Sequence, residues 1–290
     1  MITNVRNMLF TMMVLMFAIG LIGSAASFPV AVIDDQGQRV TIEVRPRRIV
    51  AVTELAVHTL IDIGAGNRLV GVLTSSDLPP EVRNVPKVGP SHNLSVERII
   101  ARDPDLVLGA VGAVRNQLNQ LGVNTYTFRP IIRVEDNMEF IRIYGQITGN
   151  VAETNEIVAD IQNALDEVQA WVEDKPKVPA AFIHVRGEAV FVSGGRTPEH
   201  DLLTKAGGQN VFSHISGNVR LRRPEELGNP QIIFTDPAYV SKILNMEGFQ
   251  FIDAVRNRQV FAIPADEVTG SQVGRVLTDI ANRIHPPLFF

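Results

Sequence analysis

The chain has 290 residues, 45% hydrophobic and 20% charged, which is ordinary globular composition and enough for two domains of about 100–150 residues each. Its formal net charge of −4 offers no basic face for nucleic acid. The absence of cysteine excludes disulfides, thiolate-held zinc or iron–sulfur clusters, thiol catalysis and a lipid-modified N-terminal cysteine.

Residues 1–26 read as a secretory signal peptide. Arg6 precedes an apolar run from Met8 to Ile22, and Ser24 and Ala26 occupy the −3 and −1 positions of a cleavage site. A retained membrane anchor is the alternative, but the run is shorter than the roughly 20 residues a span requires. The mature chain is expected to start near Ser27, outside the cytoplasm, in the periplasm or an equivalent compartment. Losing Arg6, the one charged residue of the segment, takes the net charge from −4 to −5.

"PRRIVAV" (Pro46 to Val52) has the β-branched, proline-bounded look of a buried strand. "ELAVHTLIDIGAG" follows as a helix with Leu55, Thr59, Leu60 and Ile63 at helical spacing and glycines at its end. Next come a strand at "RLVGVL", a proline-rich loop, and a short helix capped by Ser95 and stopped by Asp103-Pro104. A strand at Leu106–Leu108, a helix near Val114–Leu121, a strand at "VNTYTF" and a helix from Asp136 complete this half. Asp136 and Glu139 resemble a capping pair. Such alternation argues for an α/β lobe, residues 27–150, with a mainly parallel sheet.

From Val151 to Asp174, Ile157, Ile161, Leu165, Val168 and Val172 repeat at helical spacing against an acidic remainder. This predicts one long helix of ~36 Å, a stiff connector over 151–175. A second α/β lobe, 176–290, follows. It has strands at "AAFIHV" and "AVFVSG", a helix at "TPEHDLLTKAGG", a short helix at "PEEL", strands at "QIIF" and "QVFAIP", and a closing amphipathic helix.

Each half carries a short helix with glutamate in its first turn, followed by an X-Pro and an apolar strand: Glu97 in the first, Glu225 and Glu226 in the second. Taken alone, these glutamates favourably complement the helix dipole, an effect of roughly 0.3–1 kcal/mol.

Taken in order, "RPRRIVAVTELAVHTLIDIGAGNRLVGV", "VPKVG…LSVERIIARDPDLVLG", "GQITG", "AGGQNVF", "PEELGNPQIIF" and "VRNRQVFAIP" give a chain that resembles the periplasmic substrate-binding proteins of ABC importers for vitamin B12, ferric siderophores and haem. The resemblance implies two Rossmann-like α/β lobes bridged by a single long rigid helix, which agrees with the connector read from periodicity. It implies a monomer that carries a transported ligand, with no resident cofactor and no catalytic residue, and that docks on a membrane permease dimer. It also gives Glu97 and Glu225 a docking role, with Glu226 as the alternative to Glu225.

In such folds the ligand lies beyond the carboxyl ends of the strands, between the lobes. The loops there nominate Glu54, His58, Ser75, His92, Asn93 and Arg129 in the first lobe. In the second they nominate Arg186, Arg196, Tyr239 and Glu267. Arg129, Arg133, Arg186 and Arg196 suit an anionic ferric siderophore. The aromatics that line B12 clefts in this family are missing at Ser75, Ser91 and Ala110, which places a cobamide second. Haem carriers of the family have a tyrosine where this chain has Pro90. His92, two residues on, is then the candidate axial ligand, or simply a loop histidine. Arg186 and Arg196 have bland alternatives as surface partners of Glu188 and Glu199. Neither a hydrolase nor a free-metal binder finds its motif: there is no Gly-x-Ser-x-Gly, no His-Glu-x-x-His and no paired histidine spacing.

Overall fold

A computed structural model describes residues 27–286. The expected signal peptide, 1–26, lies outside the described residues. Among those described, no helix is long and apolar enough to cross a membrane.

An antiparallel hairpin, β1 (Val30–Ile33) and β2 (Arg39–Ile42), opens the chain. The sequence reading passed over it, although alternating apolar residues flank the turn that ends at Gly37, whose φ of 74° suits glycine. The first sheet is wholly parallel. Its order is β4 (Leu69–Val72), β3 (Ile49–Ala51), β5 (Leu106–Leu108), β6 (Thr125–Tyr126). β3, β5 and β6 are buried throughout, which is why they are continuously apolar or β-branched. Helices α1 (Glu54–Asp62), α2 (Val96–Ile100), α3 (Gly112–Gln120) and α4 (Val134–Thr148) complete the lobe.

The second sheet is mixed. β7 (Val178–Arg186) pairs antiparallel with β8 (Ala189–Ser193) and parallel with β11 (Ile232–Thr235), which in turn pairs with β12 (Val260–Ala262). β9 (Gly208–Asn210) joins the start of β7, and β10 (Asn218–Arg220) edges β8. Its helices are α6 (Pro198–Lys205), α7 (Val240–Leu244), α8 (Asp253–Arg256) and α9 (Val273–Ile284). The "PEEL" segment is a 3-10 turn, Pro224–Leu227.

Between the sheets stands α5, Val151–Val172. α4 from the first lobe and α9 from the second pack against it. The largest apolar cluster therefore runs without a break from Ile63 and Tyr144, through Ile161 and Leu165, to Phe182 and Ile280. Each buried connector side chain contributes about 1.5–3 kcal/mol. The buried face is Thr154, Val158, Ile161, Leu165, Val168 and Val172; Ile157, expected inside, is only half-buried. Two partner helices widen the buried face at this end and bring Thr154 and Val158 inward. Small residues permit the contact. A Cβ on Gly145 of α4 would lie 2.1 Å from Thr154 Oγ1, and one on Gly274 of α9 would lie 3.1 Å from Ile161 Cα.

Polar ties close the same side. Asn137 Nδ2 donates to the Gly270 carbonyl at 2.7 Å, and the Gly270 N–H donates to Asn137 Oδ1 at 2.6 Å. Ser271 Oγ donates to Asp62 at 2.5 Å, and Lys205 pairs with Glu135 at 3.2 Å. The start of α4 differs from expectation. Val134 N–H donates to Asp201 of the second lobe at 2.9 Å, so the helix begins two residues earlier than Asp136. Asp136 sits inside the first turn and accepts from the N–H groups of Ile132 and Arg133, while Glu139 pairs with Arg129 instead of capping.

Candidate ligand cleft and lobe-end glutamates

Opposite the connector lies a cavity of ≈ 740 Å³, lined from both lobes. The first lobe supplies Glu54 and Asp77; the second supplies His184, Val185, Arg186, Asp236, Ala238, Tyr239, Ala265 and Asp266. The size suits a small-molecule ligand, for which cavities of about 300–1,000 Å³ are usual.

The placement follows from local chain chemistry. β3 ends at Ala51, and Thr53 caps α1 by accepting the Ala56 N–H at 3.2 Å. Glu54 therefore begins the helix at the strand's carboxyl end. Gly109, just past β5, comes so close to this cap that an added Cβ would lie 2.7 Å from Thr53 Cγ2, and its φ is 88°. The loop after β4 is fastened onto α1. Ser75 Oγ donates to Glu54, Asp77 N–H donates to Ser75 Oγ at 3.1 Å, and His58 Nε2 bonds the Asp77 carbonyl at 3.0 Å.

On the facing wall, His184 and Arg186 fall on one side of β7 by strand alternation. Asp236 follows β11 and caps the turn Pro237–Tyr239 by accepting the Ala238 N–H at 3.0 Å. Asp266 follows β12 in the turn Ala265–Glu267. The Arg186 guanidinium lies 5.4 Å from the centre of the Phe191 ring.

His184 Nε2 meets Ser193 Oγ at 2.8 Å and Glu199 Oε1 at 3.3 Å. Serine, histidine and carboxylate invite comparison with a hydrolytic triad. A triad needs its serine and its acid on opposite ring nitrogens, whereas here both approach the same one. Ser193 is also fully buried. The trio is a packed polar network behind the cavity wall. Burial alone would raise the Glu199 carboxyl; the hydrogen bond and charge of His184 outweigh it and hold the group below its usual range.

Of the residues nominated from sequence, Glu54, Arg186 and Tyr239 line this cavity. Ser75 and His58 support it through Glu54 and Asp77. Arg129 lies elsewhere, at the rim of a second, largely apolar recess of ≈ 280 Å³ that includes Leu55, Phe128, Phe140 and Thr269. It is bound to Asp136 at 2.9 Å and Glu139 at 2.7 Å. Glu267 pairs with Arg275, turned from the cavity that its neighbour Asp266 lines. His92 and Asn93 sit on an exposed turn closed by Asn93 N–H to the Pro90 carbonyl at 2.9 Å, and neither lines the cavity. Arg196 is exposed at a left-handed φ of 62° and does not line it either. The bland pairings do not form. Glu188 meets Lys242 at 3.4 Å, and Glu199 meets His184.

Sequence reasoning missed Asp77 and His184. Asp77 lies two residues past the nominated Ser75. His184 was not nominated, though its even spacing with Arg186 puts both on one face of the strand. Among the described residues, no three His, Asp or Glu side chains form a metal-binding group.

The lobe-end glutamates are all exposed. Glu97 accepts from Ser95 Oγ at 2.9 Å, and its own backbone N–H together with that hydroxyl lowers its pKa. Glu226 is engaged locally. It accepts the Arg222 N–H at 2.8 Å, which lowers its pKa, and lies 3.7 Å from Arg223. Glu225 makes no ion pair among the described residues.

A family profile described as "Periplasmic binding protein" matches residues 49–267. The chain is 26% identical over 275 residues to an ABC transporter substrate-binding lipoprotein, YvrC, of Bacillus subtilis, covering 90% of this chain and 87% of that one. It is 27% identical over 223 residues to a cobalamin-binding protein of Halobacterium salinarum, covering 74% of this chain and 59% of that one. Among solved structures, an ABC-type Fe3+-hydroxamate transport system protein from Saccharomonospora viridis superposes with a TM-score of 0.74 at 24% identity, covering 89% and 99% of the two chains. The periplasmic haem-binding protein HutB of Vibrio cholerae gives a TM-score of 0.72 at 21% identity, covering 82% and 99%. At these identities the structural likeness is one of fold.

Proposed function

The chain belongs to the periplasmic binding protein family, and on that premise we propose that it is the extracytoplasmic substrate-binding protein of an ABC importer. It captures a metal chelate, an iron complex or a cobamide, between its lobes and hands it to a membrane permease. The observation that carries this reading is the 740 Å³ cavity set between the strand ends of two lobes whose backs are welded to one helix. Glu54, Asp77, Arg186, Asp236, Tyr239 and Asp266 form the contact surface, with Ser75 and His58 behind them. The protein binds and releases without turnover, as a monomer, and a cleaved signal peptide delivers it outside the cytoplasm.

A continuous core through the connector limits lobe motion to small adjustments. Release then depends on the permease, which would engage Glu97 on one lobe and Glu225 on the other. Two separated acidic points fix orientation and speed encounter more than they add affinity. Glu226 is less suited, because its carboxylate already closes the local turn.

Calorimetric titration of the mature protein with ferric hydroxamates, haemin and cobamides tests the capture step. Saturable binding near one equivalent without chemical change is expected. Folded protein that binds none of them would overturn the reading. Glu97→Lys and Glu225→Lys should each leave chelate affinity unchanged and cut permease-dependent uptake by about tenfold. Uptake unaffected by both changes would remove the docking role.

A further inference from the structure

The cavity presents four carboxylates, Glu54 and Asp77 on one wall and Asp236 and Asp266 on the other. None of the four has a lysine or arginine within ion-pair distance among the described residues. Their hydrogen bonds come from neutral donors: Ser75 Oγ on Glu54, Ser76 Oγ on Asp77, and the Ala238 N–H on Asp236. One guanidinium, that of Arg186, stands against them, and the imidazole of His184 is already turned to Glu199. Of the arginines that suited an anionic cargo, only Arg186 lines this cavity; Arg129 and Arg133 close on Asp136, and Arg196 does not line it. Low-dielectric walls focus the field of such a surplus into the cavity.

We propose that the cleft selects its cargo by charge, taking a metal chelate of net positive charge and turning away polyanionic ones. This rests on the capture reading above and narrows it. A tris-catecholate iron complex, or a chelate edged by several carboxylates, would bring like charge against four unneutralised carboxylates. A cationic trihydroxamate iron complex or a cationic corrinoid would supply the counter-charge that the protein itself omits.

The test compares chelates that differ only in charge. A linear ferric trihydroxamate bearing a free ammonium is titrated beside its N-acetylated, uncharged form, with a ferric tris-catecholate as the anionic probe. Cobinamide and the polycarboxylate cobyrinate form the cobalt pair. In each series the cation should bind about tenfold tighter than its uncharged or anionic counterpart at low salt, a gap that shrinks near 0.5 M salt by roughly the screening expected at that strength. Asp236→Asn with Asp266→Asn should remove most of the preference. If the anionic member binds as well or better, or acetylation and salt change nothing, the charge inference falls while the capture reading stands. If no chelate of either metal binds the folded protein, both fall together.

Discussion

The seam behind the lobes and the cleft in front of them treat carboxylates in opposite ways. In the seam, Asp136 is nearly inaccessible and receives two guanidinium groups and two backbone N–H groups. In the cleft, four carboxylates receive only hydroxyl or amide donors, or none. A carboxylate taken out of water is costly without a counter-ion, and buried Asp136 has two, whereas Glu54 and Asp236 are half-buried and Asp77 and Asp266 exposed, so water can solvate them without one. The difference separates the part that holds the protein together from the part left open to solvent and to something else.

The hardest blow to this division falls on the seam. Gly145→Val forces side-chain atoms into Thr154, so about 3 kcal/mol or more of stability should be lost, with a fall in Tm of roughly 6–12 °C by calorimetry. If stability stays near wild type, α4 and α5 are not in the contact described. Asn137→Ala comes next. It strands both the N–H and the carbonyl of Gly270 and should cost about 2–3 kcal/mol in urea unfolding. A loss no larger than a surface change would show that the tie between the lobes is dispensable.

Acid sharpens the contrast by a similar or slightly smaller amount. Burial would raise the Asp136 carboxyl, but hydrogen bonds from Arg129, Arg133 and the N–H groups of Ile132 and Arg133 outweigh it and hold its pKa at about 2, against an unfolded value of 3.8. Because the folded value is depressed, its contribution is complete above 3.8 and disappears as pH falls through about 2. About 2 kcal/mol should be lost across that window, and Asp136→Asn should flatten the corresponding part of the pH–stability curve. The smallest effect belongs to the cleft. The Asp236→Asn, Asp266→Asn double variant should leave Tm within about 1–2 °C, since neither carboxylate holds a charged partner. A large fall there would erase the distinction between the two sides.

The architecture was legible in the sequence because it rests on periodicity and punctuation. The connector showed in its apolar stripe, the parallel strands in short β-branched runs, and the short α2 helix in Ser95 and Asp103-Pro104. What stayed hidden depends on partners distant in the chain. Val134 starts its helix early because Asp201, 67 residues away, accepts its N–H. Arg129 looked like an anion ligand because Asp136 and Glu139 could equally have faced solvent. Glu267 and Asp266 are neighbours with opposite fates, decided by Arg275 on a following helix. Residue type and loop position gave the right neighbourhoods; side-chain direction came only with the packed structure.

The unbroken core through α5 has a consequence for how such a protein can change. Most cleft positions sit on turns or a helix start that follow strands, and none lies on the connector or takes part in the tie at Gly270. Mutations that alter cargo preference therefore meet little penalty in foldedness, and they can accumulate one at a time without a rescuing change elsewhere. The rigid spine makes the cleft a place where evolution can experiment: a lineage can exchange one cargo for another while the same scaffold keeps its shape.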